Sequence, residues 1–205
     1  MPTHPDTGVY QLRIALIDAR PPIWRRVMVP GGWSLGALHY VIQVTMGWTN
    51  SHLHQFIIGD DYISLYPEEG VTTRDATKVA LAEIALKPKT KFGYEYDFGD
   101  GWLHEVLVEK ILSPSDAKEA AKRAVCIDGK RACPPEDCGG VHGYEHLLSI
   151  ITDPKNPEHD EMSEWLEDTR PGFDPNAFDL DEVNRRLKLI KPTVLKAEAN
   201  IKLFV

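Results

Sequence analysis

One stretch limits what this chain can fold into more than any other. Residues 91–112 read KFGYEYDFGDGWLHEVLVEKIL, with aromatic and apolar side chains alternating with polar ones on both sides of Phe-Gly-Asp-Gly. Period-two alternation marks a strand with one buried face, and glycines around an aspartate supply the positive φ values of a tight reversal. The stretch therefore predicts a long hairpin, with strands over residues 92–98 and 102–112 joined by Gly99-Asp100-Gly101. Fourteen residues later comes CIDGKRACPPEDCGGVHG, which holds all three cysteines, a Pro-Pro pair and two successive glycines, and reads as one turn-rich loop.

The segments before the hairpin agree with an antiparallel sheet. VYQLRIALID places Tyr10, Leu12, Ile14 and Leu16 on one face of a strand, and IWRRVMVP reads as its antiparallel neighbour after a turn at the paired prolines. Ser34 is an N-cap, Leu35, Leu38, Val41, Ile42 and Thr45 form a helical stripe, and Gly47 ends that helix. WTNSHLHQFIIG returns to strand, and Asp60-Asp61 turns into YISLY as a hairpin partner. Residues 67–74 read as loop and 75–85 as a short helix stopped by Pro88. Ser113-Pro114-Ser115-Asp116 predicts a helix to about residue 124. Further helices are expected over 144–152, 158–167 and 179–189.

The fold class expected is α+β: a mostly antiparallel sheet with helices on one face and a helical C-terminal part. Residues 1–8 are expected to be disordered. Residues 9–190 form one domain, with its sheet part over 9–112 and a mainly helical part over 113–190, and 191–205 are a tail forming either an edge strand or a frayed helix.

Composition narrows the function classes. A formal charge of −8 argues against a protein that coats nucleic acid non-specifically, because phosphate binding draws on clustered Lys and Arg. The N-terminal sequence carries no basic stretch followed by an apolar core, and no apolar run approaches the ~18 residues that span a bilayer. With an odd cysteine count, these features point to the reducing cytoplasm and to no membrane partner.

Several groups of residues carry possible chemistry. Cys133 and Cys138 are separated by four residues, with His142 four further on and Cys126 seven before Cys133. Thiolates and imidazole at such spacing suit a tetrahedral zinc site of Cys126, Cys133, Cys138 and His142; the alternative is small buried thiols in a turn. A nucleophilic Cys133 or Cys138 beside His104 or His142 is a weaker reading, because Glu136 and Asp137 would raise a thiol pKa. His52 and His54, two apart on a predicted strand, point to one face and with His39 or His104 are a second ligand set. Asp97, Asp100, His104, Glu136 and Asp137 offer acids and a base for metal-assisted hydrolysis; serving the turn and solvent is their alternative role. The aromatic stripe of Phe92, Tyr94, Tyr96 and Phe98 is read as core in preference to a base-stacking platform.

The blocks YEYDFGDGWLHEV, CIDGKRACPPEDCGGVHGY and WRRV…LHYVIQVTMGWTNSHLHQF together resemble the plasmid pRiA4b ORF-3-like family, over roughly residues 8–185. The resemblance implies an α+β domain of bacteria and archaea, in some cases encoded on plasmids or mobile elements, with some relatives labelled TnpR-type resolvases. A serine resolvase needs a nucleophilic serine supported by arginines and a helix-turn-helix, a constellation not found in this sequence. The function expected is a non-enzymatic accessory or interaction domain. Its binding surface is expected in a groove between the FGDG hairpin and the CPPEDCGG loop. Trp24, Trp48 and Trp102 would line it, with Arg25, Arg131, His54 and His104 as polar contacts and Asp97, Asp100, Glu136 and Asp137 at its edge. A protein or small molecule is the expected partner. The alternatives are a divalent-metal hydrolase or nuclease-like enzyme, and a DNA-binding recombination accessory factor. No cofactor is implied beyond the zinc ion of the cysteine reading.

Overall fold

In a computed structural model, which describes residues 8–66 and 73–190, the elements run in a mixed order. They are β1 (Val9–Leu16), β2 (Trp24–Pro30), α1 (Leu35–Met46), β3 (His54–Ile58), β4 (Asp61–Ser64), β5 (Thr73–Asp75) and α2 (Leu81–Ile84). There follow β6 (Lys91–Tyr96), β7 (Trp102–Leu112), β8 (Val125–Lys130), α3 (Gly140–Ile151), α4 (His159–Thr169) and α5 (Leu180–Leu187). The strands form one eight-stranded sheet in the order β5-β4-β3-β6-β7-β1-β2-β8, antiparallel except for the β4–β5 pair. The fold is α+β, as the alternation predicts. The predicted hairpin, β6–β7, sits at its centre.

The register sorts side chains between two faces. His54, Tyr96 and Trp102 lie opposite one another across β3, β6 and β7, as do Phe56, Tyr94 and His104 two residues along. These residues, with Leu12, Ile14, Val27 and Val106, turn inward and pack against α1. All of α1 is buried, including His39, Gln43 and Thr45. A helix enclosed on every side must satisfy its polar groups internally, and these three do so. Its ends match the sequence signals: Ser34 Oγ accepts the Ala37 N–H, and Gly47 takes φ 92° beyond the last turn.

Tertiary packing changed four local expectations. The cysteine stretch begins as β8, because Cys126 and its neighbours pair with β2. Residues 113–123 form successive turns in place of a helix; Ala117 and Ala120 use that conformation to cover Val9 on the outer side of the sheet. The helix expected over 75–85 shrinks to α2, its first half held as a turn in which Asp75 Oδ1 accepts the Thr77 N–H and O–H. Thr73–Asp75 add a parallel edge strand where loop was expected. The expectations for residues 1–7 and 191–205 lie outside the described residues.

The free edge of β8 is covered. Asn184, on α5, accepts the Cys126 N–H at 2.9 Å and donates to the Cys126 carbonyl at 2.8 Å, mimicking a ninth strand with one amide side chain.

Candidate functional site

Three segments far apart in sequence meet at one end of the sheet: the loop from α1 to β3, the β6–β7 turn, and the loop from β8 to α3. Each reverses through a non-glycine residue at positive φ, namely Asn50 at 59°, Asp97 at 58° and Asp137 at 60°. Asn and Asp tolerate this region best among residues with a side chain, because a short polar group can bond the local backbone. Asp97 illustrates the device: its Oδ1 accepts the N–H groups of Gly99 and Asp100 and shapes the FGDG turn.

Glu136 ties the segments together. Its carboxylate accepts the Tyr96 hydroxyl at 2.5 Å, the Thr49 hydroxyl at 2.6 Å and the Thr49 N–H. Tyr96 Oη in turn accepts the N–H groups of Ser51 and His52. Burial, followed by the hydrogen bond to Glu136 and then its charge, holds the Tyr96 phenol far above its ordinary pKa, so it stays a donor. Asp100 accepts the Gly139 N–H, and the Pro134 carbonyl accepts from Trp48 Nε1 and Arg170 Nη1. Space is exhausted at this junction: a Cβ on Gly140 would lie 2.3 Å from the Asp100 carbonyl, and one on Gly143 would lie 1.9 Å from that of Cys138.

His52 occupies the mouth of the junction. Its Nδ1 lies 3.6 Å from Asp97 Oδ2 and its Nε2 lies 3.3 Å from Asp137 Oδ1. Among the described residues, His52, Asp97 and Asp137 are the one group of three or more His, Cys, Asp or Glu side chains whose ligand atoms all lie within 4.8 Å of one another.

Beneath the loops the inner face carries a closed polar circuit. Gln43 Nε2 donates to Tyr94 Oη, and His39 Nδ1 lies 2.8 Å from that hydroxyl. His39 Nε2 lies 2.7 Å from Asn50 Oδ1, and the Asn50 N–H returns to Gln43 Oε1. An amide oxygen can only accept, so His39 carries its proton on Nε2 and takes the Tyr94 proton on Nδ1. The His39 ring stacks on His54 at 3.5 Å. Burial depresses both imidazoles, His39 to about 3, and keeps His104 at about 4 under Trp48 and Tyr94.

These positions correct the expected groove. Trp48 and Trp102 are core residues, and Trp24 lies on the opposite sheet face between the guanidinium groups of Arg13 and Arg26. Arg25, next to it on β2, must point the other way; it is buried, donating to the carbonyls of Trp24, Thr45 and Lys130 and stacking on Phe178. Arg131 reaches Asn176 at the surface. His54 and His104 are interior. An open depression on the outer face is lined by Arg26, Lys89, Glu109 and Lys110, none of them an expected site residue.

The acid–base cluster divides as well. Asp97 and Asp137 come together, but with His52 in place of His104, while Asp100 and Glu136 are engaged as structural acceptors. Cys126, Cys133, Cys138 and His142 form no such group among the described residues. His142 projects into solvent from α3 with its side chain 97% exposed, and Cys126 points its thiol at the Asp128 carbonyl. Burial raises the thiols of Cys126 to about 11 and of Cys133 and Cys138 to about 12, so without a metal they stand protonated near neutral pH, which weakens the reading of a nucleophilic thiol. Sequence reasoning missed the pairing of His52 with two aspartates and the anchoring role of Thr49 and Asn50. The polar run Thr49-Asn50-Ser51 between a helix cap and a strand was the available signal.

The family model of plasmid pRiA4b ORF-3-like proteins matches residues 8–182. The chain belongs to the plasmid pRiA4b ORF-3-like family. A relative named Uncharacterized protein y4hQ, from Sinorhizobium fredii (strain NBRC 101917 / NGR234), is 36% identical over 180 residues, covering 87% of this chain and 90% of its own. The crystal structure of MM3350 from Methanosarcina mazei Go1, a protein of unknown function, superposes with a TM-score of 0.74 at 36% identity, over 85% of this chain and 97% of that one. The pRiA4b ORF-3-like blocks YEYDFGDGWLHEV and CPPEDCGG are therefore the two loops that build the junction. In this member of the family, no helix among the described residues is long and apolar enough to cross a membrane.

Proposed function

We propose that this pRiA4b ORF-3-like protein is a non-catalytic binding module whose working surface is the loop end of the sheet. One observation carries the reading: three distant segments are held there at positive φ by side chains whose hydrogen bonds fix the backbone. Such conformations cost on the order of 1 kcal/mol each and persist where a rigid surface is worth that stability. Binding residues concentrate on loops positioned by a rigid sheet.

The chemistry of the face indicates its partner. Leu53 and Phe98 are half exposed, on two loops that meet where the Asp97 N–H donates to the Leu53 carbonyl. The β6–β7 turn and the β8–α3 loop also carry the carboxylates of Asp97, Asp100, Glu136 and Asp137. An apolar pair within an acidic rim suits a protein surface that offers Lys or Arg around an apolar contact. The same carboxylates oppose phosphate, which disfavours DNA on this face. We take an association with plasmids or mobile elements, which the family's description suggests, as the setting in which such a partner would act. Hydrolysis at a metal centre is the second reading, favoured by the meeting of His52, Asp97 and Asp137.

The test is crosslinking capture in extracts of the native host with the full chain and with a Leu53→Ser, Phe98→Ser variant. The expected result is a defined partner set that the variant recovers at least ~10-fold less well, the loss typical of removing an interface anchor. Equal recovery by both proteins, or no partner for either, overturns the reading.

A further inference from the structure

The imidazole of His52 stands between two carboxylates, with Asp97 opposite one ring nitrogen and Asp137 opposite the other. A neutral imidazole has one N–H, so one nitrogen always presents its lone pair to an anionic oxygen. Both contacts become attractive only when the ring carries a second proton or a cation lies among the three groups.

Asp97 supplies a separate indication. Its side chain is only 10% exposed. Oδ1 takes two backbone N–H groups, whereas Oδ2 has no hydrogen-bond donor among the described residues; His52 Nδ1 stands 3.6 Å from it, beyond hydrogen-bond reach. On a side chain this little exposed such an oxygen has room for few waters, and it faces the gap beside His52 and Asp137.

We infer that His52, Asp97 and Asp137 bind one divalent first-row transition-metal ion. One imidazole nitrogen with two carboxylate oxygens is a borderline ligand set, suited to zinc, cobalt or manganese more than to calcium, which takes six to eight oxygens. Asp97 and Asp137 come from preformed loops, so little of the site must be ordered on binding. Asp137 is the exposed ligand, at 72% side-chain exposure, and it leaves the outer coordination positions open to solvent or to a group from a partner. The inference takes its location from the loop-face reading, but its test involves no partner protein, so either can fail alone.

The experiment uses the full chain stripped of metal with a chelator and titrated with Co2+, following visible absorption and then displacement by Zn2+. The expected result is one saturable equivalent with the ligand-field bands of a nitrogen–oxygen site and no thiolate charge-transfer band. Asp97→Asn and Asp137→Asn keep residues that tolerate positive φ, and each should weaken binding at least ~10-fold, the lower end of what even outer-shell losses cost. Cys138→Ser should bind as the parent does, and unchanged unfolding midpoints in the absence of metal would confirm intact variants. Asp137 is exposed, so its variant serves if Asp97→Asn does not fold. Failure of the parent to bind, binding abolished by Cys138→Ser, or binding indifferent to Asp137→Asn overturns the inference. A site that only takes up a proton on His52 would show the first of these results.

Discussion

At the residue scale the loop junction depends on a few atoms with no substitute. Glu136 accepts the Tyr96 hydroxyl and also receives both the N–H and the hydroxyl of Thr49. Glu136→Ala should lower unfolding free energy by ~1–3 kcal/mol, the cost of stranding part-buried donors, as measured by urea denaturation. Combining it with Tyr96→Phe should cost less than the two separate losses added, because both remove one interaction. Strict additivity would show that Glu136 acts elsewhere. Gly143 lies inside α3, where helix propensity alone favours alanine by ~1 kcal/mol. The Cys138 carbonyl stands 1.9 Å from the would-be Cβ, however, and displacing backbone costs ~1–3 kcal/mol. The steric term wins, so Gly143→Ala should lower the thermal midpoint.

At the scale of elements, helices finish what strands leave open. α5 seals the sheet through Asn184, whose amide serves both the donor and the acceptor of Cys126 on β8. Asn184→Ala should destabilise by ~1–3 kcal/mol and release the Cys126 amide to faster hydrogen exchange, with residues on β6 and β7 little affected. Uniform acceleration across the sheet would contradict this local role. Ser34 caps α1 with one side-chain bond, and Ser34→Ala should cost ~1 kcal/mol in the same denaturation assay. These two elements differ in legibility. The Ser34 cap and Gly47 stop are local signals that α1 obeys. β8 lies in a run whose glycine, prolines and cysteines indicate turns, and only pairing with β2 on one side and Asn184 on the other makes it a strand.

At the scale of the whole molecule, three buried histidines tie stability to pH. His39, His54 and His104 are all held below 6.5, chiefly by burial, His39 to about 3 and His104 to about 4. In the unfolded chain they take up protons near 6.5, so below that pH the unfolded state binds more protons than the folded one. Stability is therefore fully present above 6.5 and falls as pH drops toward 4, with up to ~1.4 kcal/mol lost per pH unit for each histidine. Urea midpoints measured between pH 7 and pH 4.5 should show this slope, and His54→Phe should reduce it by the equivalent of one proton. An unchanged slope in that variant would place the dependence on other groups.

The amino-acid sequence determined what local physics can specify. Period-two alternation over residues 91–112 encoded the central hairpin, and a capped apolar stripe encoded α1. Alternation also decided that Trp24 and Arg25 face opposite ways, although not which of them faces the core. Side chains on adjacent pleats diverge whatever surrounds them, while the choice of the buried face depends on where α1 lands. The candidate site was legible only in part. Asp97 and Asp137 stand out in dense blocks, but their partner His52 lies 45 residues before one and 85 before the other. His104, with a more suggestive position beside Asp100, was carried inward by the pleat of β7. Spacing in sequence governs contacts within one element. The meeting of three loops is set by the order β3-β6-β7 and by the β8–α3 connection, and only the assembled sheet brings them together.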